Sequence, residues 1–504
     1  MLRKRISIQA HLSVKGQTMQ QLQTTKAASL WSYFLTICSI PHPSRHEEAL
    51  VAWIVNWAKE NNIACQQDEV GNLILRKAAT FGCEHKTPVI LQGHLDMVPQ
   101  KNNDTVHDFA TDPIIPHIEG EWMHASNTTL GADNGVGMAS CLAVLADDTI
   151  KHGPLEVLLT TSEEIGMVGA FGLQSDTLTG KVLINTDSEQ EGDLYIGCAG
   201  GVRAYVDLPY QTLPASPSEV AYKITLNGLK GGHSGCDIHL LRANAITVLA
   251  QTLTQFNELP FNLAAFEGGS LRNAIPREAY AVITCGIQYQ QLLDRLIMNA
   301  QASLVDQYQC VEDNLLLSIG SCALPETVLT SESKEHVLTA LASCPNGIFE
   351  MDKDLEDIVQ TSSNLGVLSQ QLKDGDPVFT MEMLVRSQVE QEKQQSVQRI
   401  FDHFKQYGGN SHKEGDYPGW KPNTESAVYQ IVKIQYKKLF DSEPNTMVIH
   451  AGLECGLFSN KYPHWDMVSF GPTIKFPHSP DEKVHIPSVD KYWQLLVASL
   501  EAID

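Results

Sequence analysis

Side chains that bind metal ions or transfer protons follow three short apolar segments of the chain. The segments are residues 88–91, 155–160 and 182–184. Each of them predicts a strand that is buried on both faces. His94 follows the first segment, the pair Glu163 and Glu164 follows the second, and Asp187 follows the third. Because open α/β sheets bind ligands at the carboxyl ends of their strands, we expect these side chains to lie close together.

Two further clusters contain the same residue types. Residues 128–137 hold Asp133 among three glycines, and residues 477–482 hold His478. Taken one at a time, these motifs have simpler explanations: a capped strand end at His94, a glycine-rich turn or phosphate loop at Asp133, and a solvated helix start at the paired glutamates. A phosphate loop is disfavoured, because no lysine stands where it would neutralise the phosphates.

The clusters together contain the ligand types of a catalytic metal site. Histidine with several carboxylates and no thiolate suits zinc, manganese or cobalt. A pair of metal ions needs a bridging carboxylate, two terminal ligand sets and a base that activates water. The clusters supply enough groups for such a pair. We therefore predict two divalent metal ions per chain, with zinc as the expected metal and manganese or cobalt as the alternatives.

Composition excludes several other classes of function. The 504 residues include 36 Lys and Arg but 59 Asp and Glu, which gives a net charge of −23. This balance argues against nucleic acid and against anionic membrane surfaces, because both attract basic proteins. Eleven cysteines without a C-x-x-C pair indicate a reduced, cytoplasmic protein. No apolar run is long enough for a transmembrane helix.

The first residues stand apart from the rest. Residues 1–15 are basic and lack acids, so they are either a weak targeting segment or a dispensable tail. Met19 is an alternative translation start, because helical patterning begins just after it. We treat residues 1–27 as an N-terminal tail.

The pattern of elements predicts an α/β domain that is split by an insert. Helices are expected within residues 28–60, with a break at 39–44, and at 136–146, and a strand at 71–76. Strands alternating with helices imply an α/β layer. We assign residues 28–202 and 413–504 to this catalytic domain.

In residues 203–412 the expected strands alternate apolar and polar residues, as in strands with one buried face, and this segment is assigned to an α+β domain. The expected strands are residues 221–226, 279–285, 367–372 and 378–386, and the expected helices are residues 243–256, 290–305 and 389–407. The sequence Asp-Gly-Asp-Pro at residues 374–377 predicts a hairpin between the last two strands.

Seven motifs occur in an order that resembles one enzyme family. They are Gly-His-Leu-Asp (93–96), Thr-Leu-Gly-Ala-Asp-Asn-Gly (129–135), Thr-Ser-Glu-Glu-Ile-Gly (161–166), Asn-Thr-Asp-Ser-Glu (185–189), Gly-Gly-His-Ser-Gly (231–235), His-Ala-Gly-Leu-Glu-Cys-Gly (450–456) and His-Ser-Pro-Asp-Glu (478–482). From about Leu30 to the C-terminus, the chain resembles the co-catalytic zinc exopeptidases, and among them the bacterial aminoacyl-histidine dipeptidases, also called cytosol non-specific dipeptidases. The resemblance implies a phosphorylase/hydrolase-like di-metal catalytic domain interrupted by a lid and dimerisation domain.

The resemblance implies the following metal ligands and catalytic groups. One metal would be held by His94, Asp133 and Asp187, and the other by Asp133, Glu164 and His478. Asp96 would orient the His94 imidazole. Glu163 would be the general base that takes a proton from the water between the metals and passes one to the leaving amine. The peptide bond between Asp133 and Asn134 would be cis.

In the lid, the resemblance implies contacts with the substrate. His233 would stabilise the oxyanion, in related dimers from the partner subunit, although a lone histidine is more often structural. Asn273 and Arg386 would hold the substrate's C-terminal carboxylate, since a guanidinium matches a carboxylate bidentately. Glu454 would contact the substrate's amino group. Cys236 departs from the family pattern, in which a small residue is expected, and it puts the local shape of the lid in question.

The function implied is metal-dependent hydrolysis of dipeptides, including Xaa-His dipeptides such as β-alanyl-histidine. A homodimer formed through the lid domain is expected, with a small peptide as substrate. Two alternatives remain open. One is a related di-metal amidohydrolase, such as an N-acyl amino acid deacylase, and the other is a non-catalytic metal- or peptide-binding relative. A mere binding protein would need the metal ligands but would have no use for the base Glu163. The preferred dipeptide, the physiological metal, and whether His233 acts within its own chain are not determined by the sequence.

Overall fold

The computed structural model describes residues 21–504, and the chain forms two compact units. Unit 1 consists of Met1–Gly197, described from residue 21 onward, with Pro422–Val448 and Leu457–Asp504. Unit 2 consists of Cys198–Lys421 and Ile449–Gly456. Residues 449–456, which were predicted to lie in the catalytic domain, belong to unit 2, and the Ala199 N–H group, just before the first strand of that unit, donates to the Ile449 carbonyl.

The predicted targeting segment and the alternative start at Met19 lie outside the described residues. Part of the predicted tail, residues 21–27, is described by the structure and packs against the rest of unit 1. Leu22 and Ala27 are buried, and the Ala27 N–H group donates to the Asp490 carboxylate at 2.9 Å. Packing therefore begins before Ala28. None of the helices within residues 21–504 is both long and apolar enough to cross a membrane.

The first segment of unit 1 alternates helices and strands. Its helices are α1 (Ala28–Cys38), α2 (Glu48–Glu60), α3 (Ala132–Ala146) and α4 (Val168–Gly172). Its strands are β1 (Ala64–Gln67), β2 (Leu73–Lys77), β3 (Val89–His94), β4 (Pro116–Glu119), β5 (Trp122–Ala125), β6 (Leu155–Thr160), β7 (Val182–Asn185) and β8 (Asp193–Cys198). The break predicted at residues 39–44 is confirmed, since it separates α1 from α2.

Unit 2 is richer in long antiparallel strands. Its strands are β9 (Gly200–Pro209), β10 (Thr212–Pro214), β11 (Glu219–Asn227), β12 (Gly232–His233), β13 (Asn262–Gly268), β14 (Ala274–Ile275), β15 (Ala279–Gly286), β16 (Leu316–Cys322), β17 (Thr327–Leu329), β18 (Gly347–Met351), β19 (Val359–Lys373), β20 (Asp376–Ser387) and β21 (Asn410–Tyr417). Its helices are α5 (Ala245–Thr254), α6 (Gln290–Tyr308), α7 (Ser331–Ala342) and α8 (Glu390–Lys405), with short 3₁₀ helices at Ile238–Leu240 and Ile287–Tyr289.

The chain then completes unit 1. The remaining elements are α9 (Ala427–Phe440), β22 (Asn445–Ile449), α10 (Glu454–Lys461), β23 (Asp466–Ser469), β24 (Ile474–Lys475), β25 (Lys483–His485) and α11 (Ile486–Ala502). The end of β22 at Ile449 and the start of α10, residues 454–456, belong to unit 2. Strand β23 pairs in parallel with β7, although nearly 300 residues separate them in the chain. The two ends of the sequence therefore build one sheet.

The main sheet of unit 1 places three predicted metal ligands, His94, Glu164 and Asp187, at or just beyond the carboxyl ends of its parallel strands. Its strand order is β1-β2-β6-β3-β7-β23-β8-β22, and β6, β3, β7 and β23 run parallel. Strands β3, β6 and β7 are buried along their whole length, as their apolar runs predicted. Because these strands are parallel, the loops that follow them leave the sheet on the same side. A second sheet, β24-β25-β5-β4, belongs to the same unit.

Unit 2 is built around an antiparallel sheet. The strand order is β16-β11-β15-β13-β19-β20-β9-β21, with β18 paired to β19. The predicted hairpin is confirmed, since Lys373 pairs with Asp376 around a turn formed by Asp374 and Gly375, both with positive φ. One apolar core includes Ile224, Phe266 and Phe379 from the sheet, and helices α5, α7 and α8 pack on it. The α/β and α+β classes expected for the two parts are confirmed.

Candidate metal centre

His94 is the last residue of β3, and its imidazole is held in one orientation. The Nδ1–H group donates to the backbone carbonyl of Asp96 at 2.9 Å and lies 3.4 Å from the Asp96 carboxylate. The Nε2 atom therefore faces the opposite way, 3.2 Å from Asp133 Oδ1 and 3.4 Å from Asp187 Oδ1. The Asp96 backbone carbonyl is therefore closer to the ring than the Asp96 carboxylate is, and it forms the hydrogen bond that orients the imidazole.

The Asp133 carboxylate lies between two histidines. Its Oδ1 atom faces His94 Nε2, and its Oδ2 atom is 3.2 Å from His478 Nε2. His478 Nε2 is also 3.0 Å from Glu164 Oε2. The structure therefore brings together all five predicted metal ligands, which come from β3, the start of α3, and the loops after β6, β7 and β24. The Asp133–Asn134 peptide bond is cis, as predicted.

The pKa values of both histidines, Glu164 and Asp187 are raised because several carboxylates are buried close to one another and to the histidines. Hydrogen bonds that the His478 ring donates to the carboxylates of Asp133 and Glu164 raise the pKa of His478 to about 11. Burial alone would lower the pKa of His94, but Asp187 and Asp133 raise it well above its usual range. Burial raises the pKa of Glu164 and of Asp187, and the Asp133 charge adds to both shifts. The cluster is therefore short of positive charge.

This donor set fits divalent cations. Ligand atoms of His94, Asp133 and Glu164 all lie within 4.8 Å of one another. Glu164 Oε1 is buried and accepts no hydrogen bond within the part of the chain that the structure describes. Imidazole nitrogen and carboxylate oxygen without thiolate are ligands for zinc, manganese or cobalt. Divalent cations held by Asp133 with His94 and His478 would supply positive charge to this carboxylate-rich cluster.

Asp96 and Glu47 hold the loop that carries the two glutamates. The Asp96 carboxylate accepts from the backbone N–H groups of Glu163 at 2.8 Å and Glu164 at 3.3 Å. Glu47 Oε1 accepts from the backbone N–H group of Ser162 at 2.9 Å and from its hydroxyl at 2.8 Å. Two buried carboxylates therefore fix the backbone of this loop. Sequence analysis did not identify Glu47, which lies in no motif.

Two other acidic residues of the site were missed as well. Burial, with Asp133 and Asp187 nearby, raises the pKa of Glu189 to about 8. Burial and Asp133 raise the pKa of Glu482 to about 7, while backbone N–H groups oppose that shift. Both residues stand in motifs quoted for the family resemblance, so a signal was present, but the residue type alone assigned no role to them.

Unit 2 holds a separate cluster around His233. The backbone N–H groups of Gly235 and Cys236 both donate to His233 Nδ1, at 3.2 and 3.0 Å. Burial and the nearby Arg386 lower the pKa of His233 to about 4. The imidazole is therefore neutral at pH 7, with its proton on Nε2 because Nδ1 accepts. Cys236 is exposed and takes part through its backbone, so the departure noted in the sequence leaves this turn intact.

Arg386 is a buried cation without an anionic partner. Its side chain lies on β20 and the residue is 4% exposed. Its guanidinium donates to the Tyr417 hydroxyl at 3.3 Å and lies 3.4 Å from His233 Nε2, which is a contact between two N–H groups and not a hydrogen bond. No carboxylate of residues 21–504 forms an ion pair with it. Its Nε–H group is buried without an acceptor among the same residues. This environment is complementary to an anion.

Asn273 and Glu454 are the other two residues predicted to contact substrate. Asn273 is exposed in the turn before β14, and its backbone carbonyl accepts from the Ser234 N–H group at 2.8 Å, next to His233. Glu454 is 1% exposed and begins α10. The structure therefore places Asn273 beside the His233 turn, and Glu454 within the short segment 449–456 of unit 2.

Comparisons with known proteins match nearly the whole chain. The sequence profile of peptidase family M20/M25/M40 matches residues 90–502. The cytosol non-specific dipeptidase of Escherichia coli is 48% identical over 96% of this chain and 99% of its own length. The crystal structure of aminoacylhistidine dipeptidase from Vibrio alginolyticus superposes with a TM-score of 0.88, at 47% identity over 96% of this chain and 98% of that one. A tripeptidase from Staphylococcus aureus shares the fold, with a TM-score of 0.54 at 16% identity over 94% of this chain and 98% of that one.

Proposed function

Because the chain belongs to peptidase family M20/M25/M40, we propose that it hydrolyses dipeptides with a free C-terminus, including Xaa-His dipeptides such as β-alanyl-histidine. Two relatives that match almost end to end are a non-specific dipeptidase and an aminoacylhistidine dipeptidase, which supports this substrate class. The reaction is hydrolysis of the single peptide bond of an aminoacyl–amino acid.

One observation carries the proposal: the Asp133 carboxylate reaches a histidine with each of its oxygens. His94, Asp133 and Asp187 would hold one divalent ion, and Asp133, Glu164 and His478 would hold the other. Zinc is the expected metal, with manganese or cobalt as alternatives. When bound, such ions lower the pKa of water and polarise a scissile carbonyl.

Glu163 is the proposed general base. Its backbone N–H group donates to the Asp96 carboxylate, and the next residue, Glu164, is a proposed metal ligand, so Glu163 stands directly beside a ligand in the chain. It takes a proton from the attacking water and returns one to the leaving amine, which is the role of a base that later acts as an acid. Asp96 acts as a positioning residue, because it contacts both the His94 ring and the loop of Glu163.

His233 is proposed to stabilise the oxyanion. Its Nδ1 atom is occupied by two backbone N–H groups, so its Nε2–H group is a fixed, neutral donor. Donors that are oriented before the reaction stabilise developing charge most effectively. This donor serves either the metal centre of its own chain or that of a partner subunit, and mixed dimers distinguish the two.

Arg386 is proposed to bind the C-terminal carboxylate of the substrate. Burying a guanidinium without an anion is unfavourable, because its charge loses hydration, and a ligand that carries the opposite charge offsets this loss. Asn273 lies beside the His233 turn and would donate to the same carboxylate through its amide. Glu454 would accept from the substrate's amino group. The protein is further proposed to be cytoplasmic and to form a homodimer through unit 2.

The test is a hydrolysis panel with the metal content measured in parallel. Dipeptides, tripeptides and N-acetyl amino acids are incubated with the protein after loading with Zn²⁺, Mn²⁺ or Co²⁺. Cleavage of dipeptides with about two ions bound per chain supports the proposal. Preferred cleavage of N-acetyl amino acids would replace it with a deacylase, and metal binding without any cleavage would leave a non-catalytic binding protein.

A further inference from the structure

Glu482 makes an unusual set of contacts in unit 1. Its carboxylate accepts hydrogen bonds from four consecutive backbone N–H groups. The donors are Leu130 and Gly131 to Oε2, at 2.8 and 3.0 Å, and Ala132 and Asp133 to Oε1, at 2.8 and 3.2 Å. Glu482 is 1% exposed, so solvent is excluded from these hydrogen bonds.

The backbone of this turn requires an acceptor. Successive N–H groups that point to one place form a concave anion site. Residues 130–133 are all buried, so water does not satisfy these N–H groups. The turn also has a fixed shape: Gly131 has a φ of +70°, and a side chain there would meet the Met97 sulfur at 3.0 Å. No lysine, arginine or histidine within residues 21–504 forms an ion pair with Glu482, so the turn itself is the partner of the carboxylate.

The contacts connect two separate metal-ligand segments. Asp133 supplies the last of the four N–H groups, and its side chain lies between His94 and His478. Glu482 stands four residues after His478, and its own N–H group donates to the Ser479 carbonyl at 3.0 Å in a tight turn. The segment 478–482 therefore touches the Asp133 turn twice, once through a ligand and once through Glu482.

We propose that Glu482 is a positioning residue that sets the place of the Asp133 carboxylate, and with it the binding of both metal ions. The proposal rests on the proposed function only in taking His94, Asp133 and His478 as ligands. Residues outside the ligand set that fix ligands typically change metal affinity about 10- to 100-fold when they are lost. A merely structural carboxylate would change the folding stability and leave metal binding intact.

Unit 1 offers a matched control for the loss of such a carboxylate. Glu156 on β6 is also buried, and it accepts from the backbone N–H groups of Thr179 and Gly180, both at 2.8 Å. It lies near the start of β6, whereas the metal ligands follow the end of that strand. Glu156→Gln therefore removes a buried, loop-binding carboxylate without touching the centre.

The experiment compares Glu482→Gln with Glu156→Gln in the full chain. In Glu482→Gln the amide nitrogen faces two N–H donors, so two of the four hydrogen bonds are lost. Metal retention is measured by elemental analysis after dialysis against increasing chelator, and the ligand geometry by the visible absorption of the Co²⁺-loaded protein. We expect Glu482→Gln to weaken retention of both ions at least tenfold and to change the Co²⁺ spectrum. We expect Glu156→Gln to keep both within about twofold of the wild type.

Wild-type retention and spectrum in Glu482→Gln would overturn the proposal, as would equal losses in the two variants. If Glu482→Gln does not fold, Glu482→Asp replaces it, because aspartate keeps the charge but shortens the reach. Metal binding intermediate between wild type and apoprotein is then expected, and unchanged binding would again overturn the proposal. If metal retention depends on Glu482 as expected but the wild-type protein cleaves no dipeptide, the proposed function alone is refuted.

Discussion

The clusters of the two units contain the same residue type in opposite electrostatic settings. In unit 1, His94 and His478 face carboxylates, which raise the pKa of both rings. In unit 2, His233 and His450 lie near Arg386, and burial together with that cation lowers the pKa of His233 to about 4 and of His450 to about 3. One cluster is short of positive charge, and the other is short of negative charge.

This contrast indicates the kind of ligand that each unit is built to receive. A carboxylate-rich cluster with histidines becomes balanced when divalent cations replace protons. A buried guanidinium beside neutral imidazoles becomes balanced when an anion binds. His450 is held as part of the second cluster, because its Nε2 atom lies 2.8 Å from the Ser362 hydroxyl.

The largest effect is expected from removing Asp133. Asp133→Ala should lower metal content toward zero ions per chain, because both proposed sites share this carboxylate, and activity should fall to background. His478→Ala should retain one ion, because His94 and Asp187 remain. Elemental analysis after gel filtration distinguishes the two variants. One retained ion in Asp133→Ala would show that this carboxylate is not the bridge.

Glu163→Gln should keep the metal and lose turnover. The amide has the shape of the carboxylate but accepts no proton, so kcat should fall about 10²- to 10⁴-fold while about two ions remain bound. Steady-state kinetics and elemental analysis are done on one preparation. A kcat near that of the wild type would remove Glu163 from the role of base, whatever the state of the metals.

Arg386→Met tests the opposite cluster. Loss of a buried, charge-assisted contact should lower kcat/KM for a dipeptide about 30-fold or more, chiefly through KM. The C-terminal amide of the same dipeptide lacks the charge and should be cleaved slowly by wild type and variant alike. Arg399→Met, an exposed arginine on α8, is the control and should change neither value. Equal losses for the acid and the amide would mean that Arg386 acts on stability or shape.

The metal ligands could be predicted from the sequence because of where they stand. His94, Glu164 and Asp187 each follow a segment that is apolar on both faces, and such segments predict parallel strands whose ends meet. Asp133 and His478 follow no such strand. Their part in the site came from the family resemblance, and the structure brings both to His94 or Glu164.

The supporting residues could not be predicted in the same way. Glu482 and Glu47 act on backbone N–H groups that are far away in the sequence, and nothing in a local pattern states which backbone a carboxylate will meet. Tyr417 reaches Arg386 across strand β9 of the antiparallel sheet, and His450, in the loop after β22, reaches Ser362 on β19, so these contacts depend on how distant segments pair. Long-range pairing, and not residue type, decides these roles.

Mixed dimers address the origin of the oxyanion donor. His233→Ala and Glu163→Gln should each be nearly inactive alone. If His233 serves a partner's metal centre, unfolding and refolding the two together should restore roughly a quarter of wild-type activity, because half of the dimers are mixed and each has one complete site. Native mass spectrometry confirms that mixed dimers form. Mixed dimers without activity would place His233 in its own chain's site or outside catalysis.

The smallest effect is expected from Tyr417→Phe. The Tyr417 hydroxyl accepts from Arg386 at 3.3 Å, and the Tyr417 backbone is fixed because its carbonyl accepts from the buried Lys393 at 2.5 Å. Without the hydroxyl the guanidinium is less firmly oriented, so KM for a dipeptide should rise by about 2- to 10-fold with kcat nearly unchanged.

The Tyr417→Phe effect should depend on Arg386. In an Arg386→Met background, the further change Tyr417→Phe should add little, because the group that the hydroxyl orients is gone. Tyr429→Phe is the control: this tyrosine in unit 1 also shares a hydrogen bond through its hydroxyl, with Thr446, but lies in neither cluster. Additive effects of Tyr417→Phe and Arg386→Met on KM would contradict a shared anion site. Non-additive effects of Tyr417→Phe and Arg386→Met on KM, with additive effects of Tyr429→Phe and Arg386→Met, would show that Tyr417 and Arg386 bind the substrate carboxylate together.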